Sequence, residues 1–236
     1  MKKRFAAFVS TVLAAVLCAC SAAPKDVLPN KAAQPTEAPT QQAQTTQAAP
    51  TEQPTPEPDP VQQLLEEMTL EQKVGQLFLV RPDSLDLSQT QDQINDAKAD
   101  GVTELTDAMR QTLAEYPVGG VVIFGKNLES PQQITQFLDD LQQASDTPLF
   151  TAIDEEGGLV ARLANNAAFD LPQYESAAAV GTSGNPEDAR AMGRTIGGYL
   201  KEYGFNLDFA PVADVNTNPD NPVIGTRAFS SEPQTA

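Results

Sequence analysis

Histidine is absent from all 236 residues, and cysteine occurs only twice, as Cys18 and Cys20. The first absence removes imidazole acid–base chemistry from this chain. The second places both thiols in the first twenty residues, so nothing beyond them can hold a disulfide or a thiol nucleophile. Cations are scarce as well: 15 Lys and Arg stand against 32 Asp and Glu, a formal net charge of −17. Nucleic acid is a poor partner for such a surface, because phosphate binding needs clustered basic side chains. The acidity reads instead as solubility outside the cell. Residues 21–60 lack aromatic side chains and almost all branched aliphatics, yet carry nine prolines from Pro24 to Pro60. Such a stretch cannot bury enough apolar surface to offset its conformational entropy, and residues 21–60 are expected to be a Pro/Gln/Thr-rich disordered linker.

What precedes the linker is a leader. Lys2, Lys3 and Arg4 introduce an apolar run from Phe5 to Leu17 that is short for a membrane span. The run ends in Leu17-Cys18-Ala19-Cys20-Ser21, which resembles the lipobox of bacterial lipoproteins. That resemblance implies lipidation of Cys20, which has Leu17 three places before it and Ala19 one place before. Cys18 fits less well, and an ordinary secretory signal with incidental cysteines is the alternative. Residues 1–20 are therefore expected to be a lipoprotein signal peptide. The chain would be exported and lipid-anchored to the bacterial cell membrane or outer membrane, and cleavage would remove the cations at 2–4.

From Val61 onward the texture is that of a folded domain. Val61, Leu64, Leu65 and Met68 recur at helical spacing, and Thr69-Leu70-Glu71-Gln72 reads as a capping start for a second helix. Val74–Val80 predicts a strand, and Asp83–Tyr116 a helical segment after an irregular start. Val118–Phe124 is nearly continuous in apolar residues, as a strand buried on both faces requires. Ser130-Pro131 opens an amphipathic helix with Ile134, Phe137, Leu138 and Leu141 on one face. Leu149–Ile153 predicts a third strand. Asn185-Pro186 caps a helix that Gly204 ends, and Phe205–Val212 predicts a fourth strand. This alternation argues for an α/β fold with a parallel sheet.

Polar residues gather where these strands end. Asp154, Glu155 and Glu156 follow the third, with Gly157, Gly158 and Arg162 close behind; Asp214, Asn216 and Asn218 follow the fourth. In a β/α barrel all strand C-termini open on one face, so these local clusters would converge in space. A calcium site built from three consecutive acids is disfavoured because their side chains diverge.

The blocks "MTLEQKVGQLFLV", "GGVVIFGKN", "IDEEGGLVARL" and "NLDFAPVADVNTNPDNPVIGTRAFSSEP" resemble, in order, the glycoside hydrolase family 3 N-terminal domain, and most closely its bacterial β-N-acetylhexosaminidase branch. The resemblance covers residues 61–236. It implies a (β/α)₈ barrel, of which about four β/α units, an N-terminal half, are visible here. It also implies an enzyme that removes terminal β-linked N-acetylglucosamine, with no cofactor and no metal. Sugar-binding roles fall on Asp154, Arg162 and Arg227: a carboxylate accepts from neighbouring hydroxyls and a guanidinium donates in a planar fork. Gly157 and Gly158 are expected to let the backbone turn beneath the sugar. Glu156 is assigned to holding the loop or Arg162, and Glu155 to solvent. Asp214 and Asn216 are read as loop architecture.

One departure stands against these matches. In this branch the next block reads Lys-His-Phe-Pro-Gly-His-Gly, followed by an Asp-x-His acid/base dyad and, later, an aspartate nucleophile; none of these is present. A retaining glycosidase needs both groups. The chain is therefore expected to be an inactive fragment with no catalytic residue of its own, and a half barrel with exposed sheet edges is expected to fold poorly alone. A non-catalytic glycan-binding envelope lipoprotein and a β-glucosidase-type relative are the alternatives.

Overall fold

The computed structural model describes residues 59–236. The expected leader, Cys20 and the linker up to residue 58 lie outside the described residues. Pro60, the last residue of the expected linker, opens the first helix.

Local signals set most of the element starts. Helix α1 (Pro60–Glu67) begins where Asp59 accepts from the Val61 N–H at 2.9 Å, with proline in the first turn. Helix α2 (Leu70–Gly75) has the reciprocal capping box expected between Thr69 and Gln72. Strand β1 is shorter than expected, Leu79–Val80. The capping box carries the helix through Val74, and Gly75 then turns against the Pro117 carbonyl, where a Cβ would clash. The segment expected to be one helix divides into a 3-10 turn at Pro82–Leu85, helix α3 (Gln91–Asn95) and helix α4 (Asp107–Glu115). Thr90 and Thr106 each cap a new start there.

Strand β2 (Gly120–Ile123) leads through a 3-10 turn at Gly125–Asn127 to helix α5 (Pro131–Ala144), in which Ile134, Phe137, Leu138 and Leu141 are all buried as their spacing requires. Strand β3 (Phe150–Ile153) is followed by a small antiparallel hairpin, β4 (Glu155–Gly157) and β5 (Val160–Ala161). Helices α6 (Ala177–Gly181) and α7 (Pro186–Glu202) precede β6 (Leu207–Asp208); Asn185 caps α7, and Gly204 ends it at φ 95°. Only two residues of the expected fourth strand join the ladder.

The four strands β1, β2, β3 and β6 form one parallel sheet in that order. This is the α/β arrangement expected for half of a (β/α)₈ barrel. Ile123 lies opposite Ile153, and Ile153 opposite Asp208. With a side-chain period of two, that register sorts the residues onto two faces. Val121, Ile123, Thr151 and Ile153 point one way and are fully buried in the core with α4, α5 and α7. Gly120, Val122, Phe150 and Ala152 point the other way, and on this face Phe150 and Phe209 are exposed. This second, open face carries the site.

Candidate functional site

The alternation that builds the sheet continues past its strand ends. Arg81 shares the face of Val122, as do Phe124, Asp154 and Phe209 by the same count along their own strands. Four strand ends thus deliver side chains to one rim of the open face. Asp154 and Glu155, adjacent in the chain, emerge on opposite faces.

Asp154 is partly exposed at this rim. Its Oδ2 accepts from Arg162 Nη2 at 3.0 Å. Its other oxygen has no donor among the described residues and remains an available acceptor. Arg162 arrives through the β4–β5 hairpin, which pairs Glu155 with Ala161. The turn needs Gly157 and Gly158 at φ 83° and 66°. These glycines make the turn expected of them, and they also admit close neighbours: Met192 of α7 abuts Gly157, and the Glu175–Ser176 backbone abuts Gly158.

Glu155 does not face solvent as expected. It is fully buried on the helix side, where Oε2 accepts from the Leu163 N–H at 2.9 Å and Oε1 from the Ala164 N–H at 2.9 Å and the Tyr199 hydroxyl at 2.8 Å. Burial, and then the Glu155 charge, push the Tyr199 hydroxyl well above the ordinary tyrosine range. Glu156 turns to Arg227 rather than Arg162, in a bidentate pair of 2.8 and 2.6 Å. Hydrogen bonding to Glu156 holds the Arg227 guanidinium above its usual value. Arg227 sits in a 3-10 turn, Gly225–Arg227, and also donates to the Val223 carbonyl. Residues 154–156 therefore hold both arginines, although 71 residues separate Glu156 from Arg227.

Asp214 is exposed. The Asn216 N–H donates to the Ser230 carbonyl at 3.0 Å, while Asn218 Oδ1 accepts from the Asp220 N–H at 3.1 Å. The Asn218 contact is the local side-chain-to-backbone bond expected of loop architecture, whereas Asp214 and the Asn216 side chain make no hydrogen bond among the described residues.

Three participants were not anticipated. Arg81 and Phe124 directly follow apolar strand cores, and extending the period of two by one or two residues would have marked them. Asp208 lies within the apolar block of β6, beside a cavity of about 690 Å³ shared with Glu155, Glu156, Met192 and Phe229. Its Oδ1 accepts from the Glu155 N–H at 2.9 Å. Burial, reinforced by the charges of Glu155, Asp154 and Glu156, outweighs that bond and pushes the Asp208 carboxyl from 3.8 up to about 6.

That shift has a sign. The folded state binds the Asp208 proton more tightly than the unfolded state, so the group favours folding below pH 3.8 and this contribution is lost as pH rises through about 6. Asp208→Asn keeps an acceptor for the Glu155 N–H and removes the titration. The variant is expected to match wild type near pH 3.5 and to be the more stable protein at pH 7, the gap opening between about pH 4 and pH 6. Urea unfolding across that range checks it; a gap independent of pH would contradict the assignment.

Among proteins of known sequence, residues 69–236 match the glycosyl hydrolase family 3 N terminal domain. Beta-hexosaminidase A of Pseudoalteromonas piscicida is 36% identical over 137 residues, which are 56% of this chain and 23% of that protein. Among solved structures, a glycoside hydrolase family 3 β-N-acetylglucosaminidase from Paenibacillus sp. superposes with a TM-score of 0.59 at 33% identity, covering 71% of this chain and 28% of its own. A β-N-acetylhexosaminidase from Beutenbergia cavernae gives 0.56 at 26% identity, covering 72% and 47%. The chain thus spans less than half the length of each of these relatives. With the family domain matched over well over half of its residues and the same parallel sheet beneath it, the chain belongs to glycosyl hydrolase family 3.

Proposed function

We propose that the open-face rim recognises a terminal, non-reducing β-linked N-acetylglucosamine residue and that the chain is the sugar-recognition part of a β-N-acetylhexosaminidase acting on glycans such as those of the cell wall. One observation carries this reading: the Asp154–Arg162 and Glu156–Arg227 pairs stand together at the strand ends, with an Asp154 oxygen and several guanidinium N–H groups uncommitted among the described residues. A pyranose presents adjacent hydroxyls that both donate and accept, and a carboxylate beside forked donors answers them. The names carried by the similar proteins support the same sugar.

Recognition is what these residues supply. Glu155 is sequestered among three donors, and Asp154 and Glu156 are each committed to an arginine. The chain is therefore expected to bind N-acetylglucosamine without hydrolysing 4-nitrophenyl N-acetyl-β-D-glucosaminide. Titration followed by NMR or calorimetry tests this. Asp154→Ala removes a charged acceptor worth about 1.5–3 kcal/mol and should weaken binding by about one to two powers of ten. Unchanged affinity in a folded Asp154→Ala protein would remove this residue from the site, and preference for glucose over N-acetylglucosamine would favour the β-glucosidase reading.

The same proposal places the protein outside the cytoplasm, held to a membrane by lipid on Cys20 through the Pro-rich segment. Metabolic labelling with a clickable fatty acid should mark wild type; label retained by Cys20→Ala would exclude that anchor.

A further inference from the structure

Arg162 is held by few polar contacts. Its only hydrogen bond among the described residues is the 3.0 Å contact from Nη2 to Asp154. Its Nε is shielded from solvent and has no acceptor among the described residues. A single hydrogen bond at the tip does not by itself fix the plane of a guanidinium. The ring of Phe124 lies beside it, with the Arg162 guanidinium carbon 5.6 Å from the ring centroid. The Arg81 guanidinium carbon lies 4.4 Å from the same centroid. Arg81 is anchored in turn, Nη1 donating to the Ile94 carbonyl at 2.8 Å and to Asn95 Oδ1 at 3.3 Å. Phe124 itself is fixed by its backbone N–H, which donates to Asn127 Oδ1 at 3.0 Å.

We propose that Phe124 is a positioning residue: its π face, with Arg81 packed on the same ring, sets the plane and direction of the Arg162 guanidinium that pairs with Asp154. A ring face attracts a cation without consuming its N–H donors. Arg162 is thereby oriented while the Nη donors not used by Asp154 stay available to a hydroxylated ligand. A carboxylate or carbonyl in the place of Phe124 would orient the head equally well and occupy those donors. The same ring ties α3 to the site through Arg81, so three strand ends act together. This rests on the sugar-recognition reading for its consequence, but not for its geometry.

The test uses the ¹⁵N-labelled full chain and reads the Arg162 Nε–H resonance, assigned by its loss in Arg162→Lys. In wild type it should stand apart from the exchange-averaged arginine envelope, shifted by the Phe124 ring current. Phe124→Tyr keeps the π face and should preserve both the signal and N-acetylglucosamine affinity. Phe124→Leu should return the signal to the envelope and weaken that affinity by about three- to tenfold, with the amide pattern of α7 unchanged as evidence of an intact fold. Phe124→Met, which also lacks a π face, takes its place if the leucine variant unfolds. An Nε–H signal indifferent to loss of the ring overturns the proposal, as does wild-type affinity in the leucine or methionine variant. If wild type binds no N-acetylglucosamine, the sugar reading fails, and the resonance comparison still decides whether Phe124 positions Arg162.

Discussion

Glu155→Ala is expected to cost this domain most of its stability. The wild-type carboxylate is fully buried and receives three hydrogen bonds, from the Leu163 and Ala164 N–H groups and the Tyr199 hydroxyl. Alanine would leave all three donors buried without an acceptor, at roughly 1–3 kcal/mol each, and would add a cavity. Against the roughly 5–15 kcal/mol by which an ordinary domain is stable, that loss approaches the whole. The melting temperature should fall by roughly 10 °C or more, or the cooperative transition should vanish. Tyr199→Phe removes only one of the three bonds and should cost about 1 kcal/mol. Far- and near-ultraviolet circular dichroism melts of the two variants check this; equal effects, or a Glu155→Ala melt close to wild type, would mean the carboxylate does not clamp the hairpin.

The second large effect is expected at Lys126. Its Nζ lies 3.2 Å from Asp83 Oδ1 and donates to the Gln93 and Ile94 carbonyls at 3.0 and 3.1 Å, with both side chains almost entirely buried. Asp83 also accepts from the Val102 N–H and from Asn127 Nδ2. This cluster clamps the segment after β1 onto the end of β2. Lys126→Met would leave the Asp83 charge buried and uncompensated, at about 3–5 kcal/mol. Asp83→Asn combined with Lys126→Met should recover part of that loss, since no charge is then stranded. A double-mutant cycle by urea unfolding measures it. If the double variant is destabilised by the sum of the single ones, the two side chains act independently and the pair contributes no coupling.

Much of the fold was legible because it is local. Ser130-Pro131 with Ile134, Phe137, Leu138 and Leu141 states a cap and a buried stripe within twelve residues, and helix α5 follows it. The Thr69–Gln72 box likewise sets α2. The same box is why the expected strand at Val74–Val80 shrank: the apolar run contains no mark of where a capped helix stops, and Gly75 stops it against Pro117, a contact formed across some forty residues. The polar stretch after Asp83 misled for the opposite reason, because what shapes it is the buried Asp83–Lys126 pair rather than any periodicity.

The sequence by itself determined the class of fold, the order of its units, the family resemblance and the residue types able to meet a sugar. Each of these is written in short-range patterns: caps, apolar runs of strand length, and acids placed directly after them. Which acid does what was decided only in three dimensions. Asp154, Glu155 and Glu156 are chemically near-equivalent neighbours, yet the pleat of the sheet turns Asp154 to the open rim and Glu155 into the helix layer, and the Gly225–Arg227 turn brings Glu156 its partner from 71 residues away. The roles of Arg81 and Phe124 are tertiary in the same sense. A guanidinium and a ring become a positioning pair only when parallel strands in register set their ends side by side.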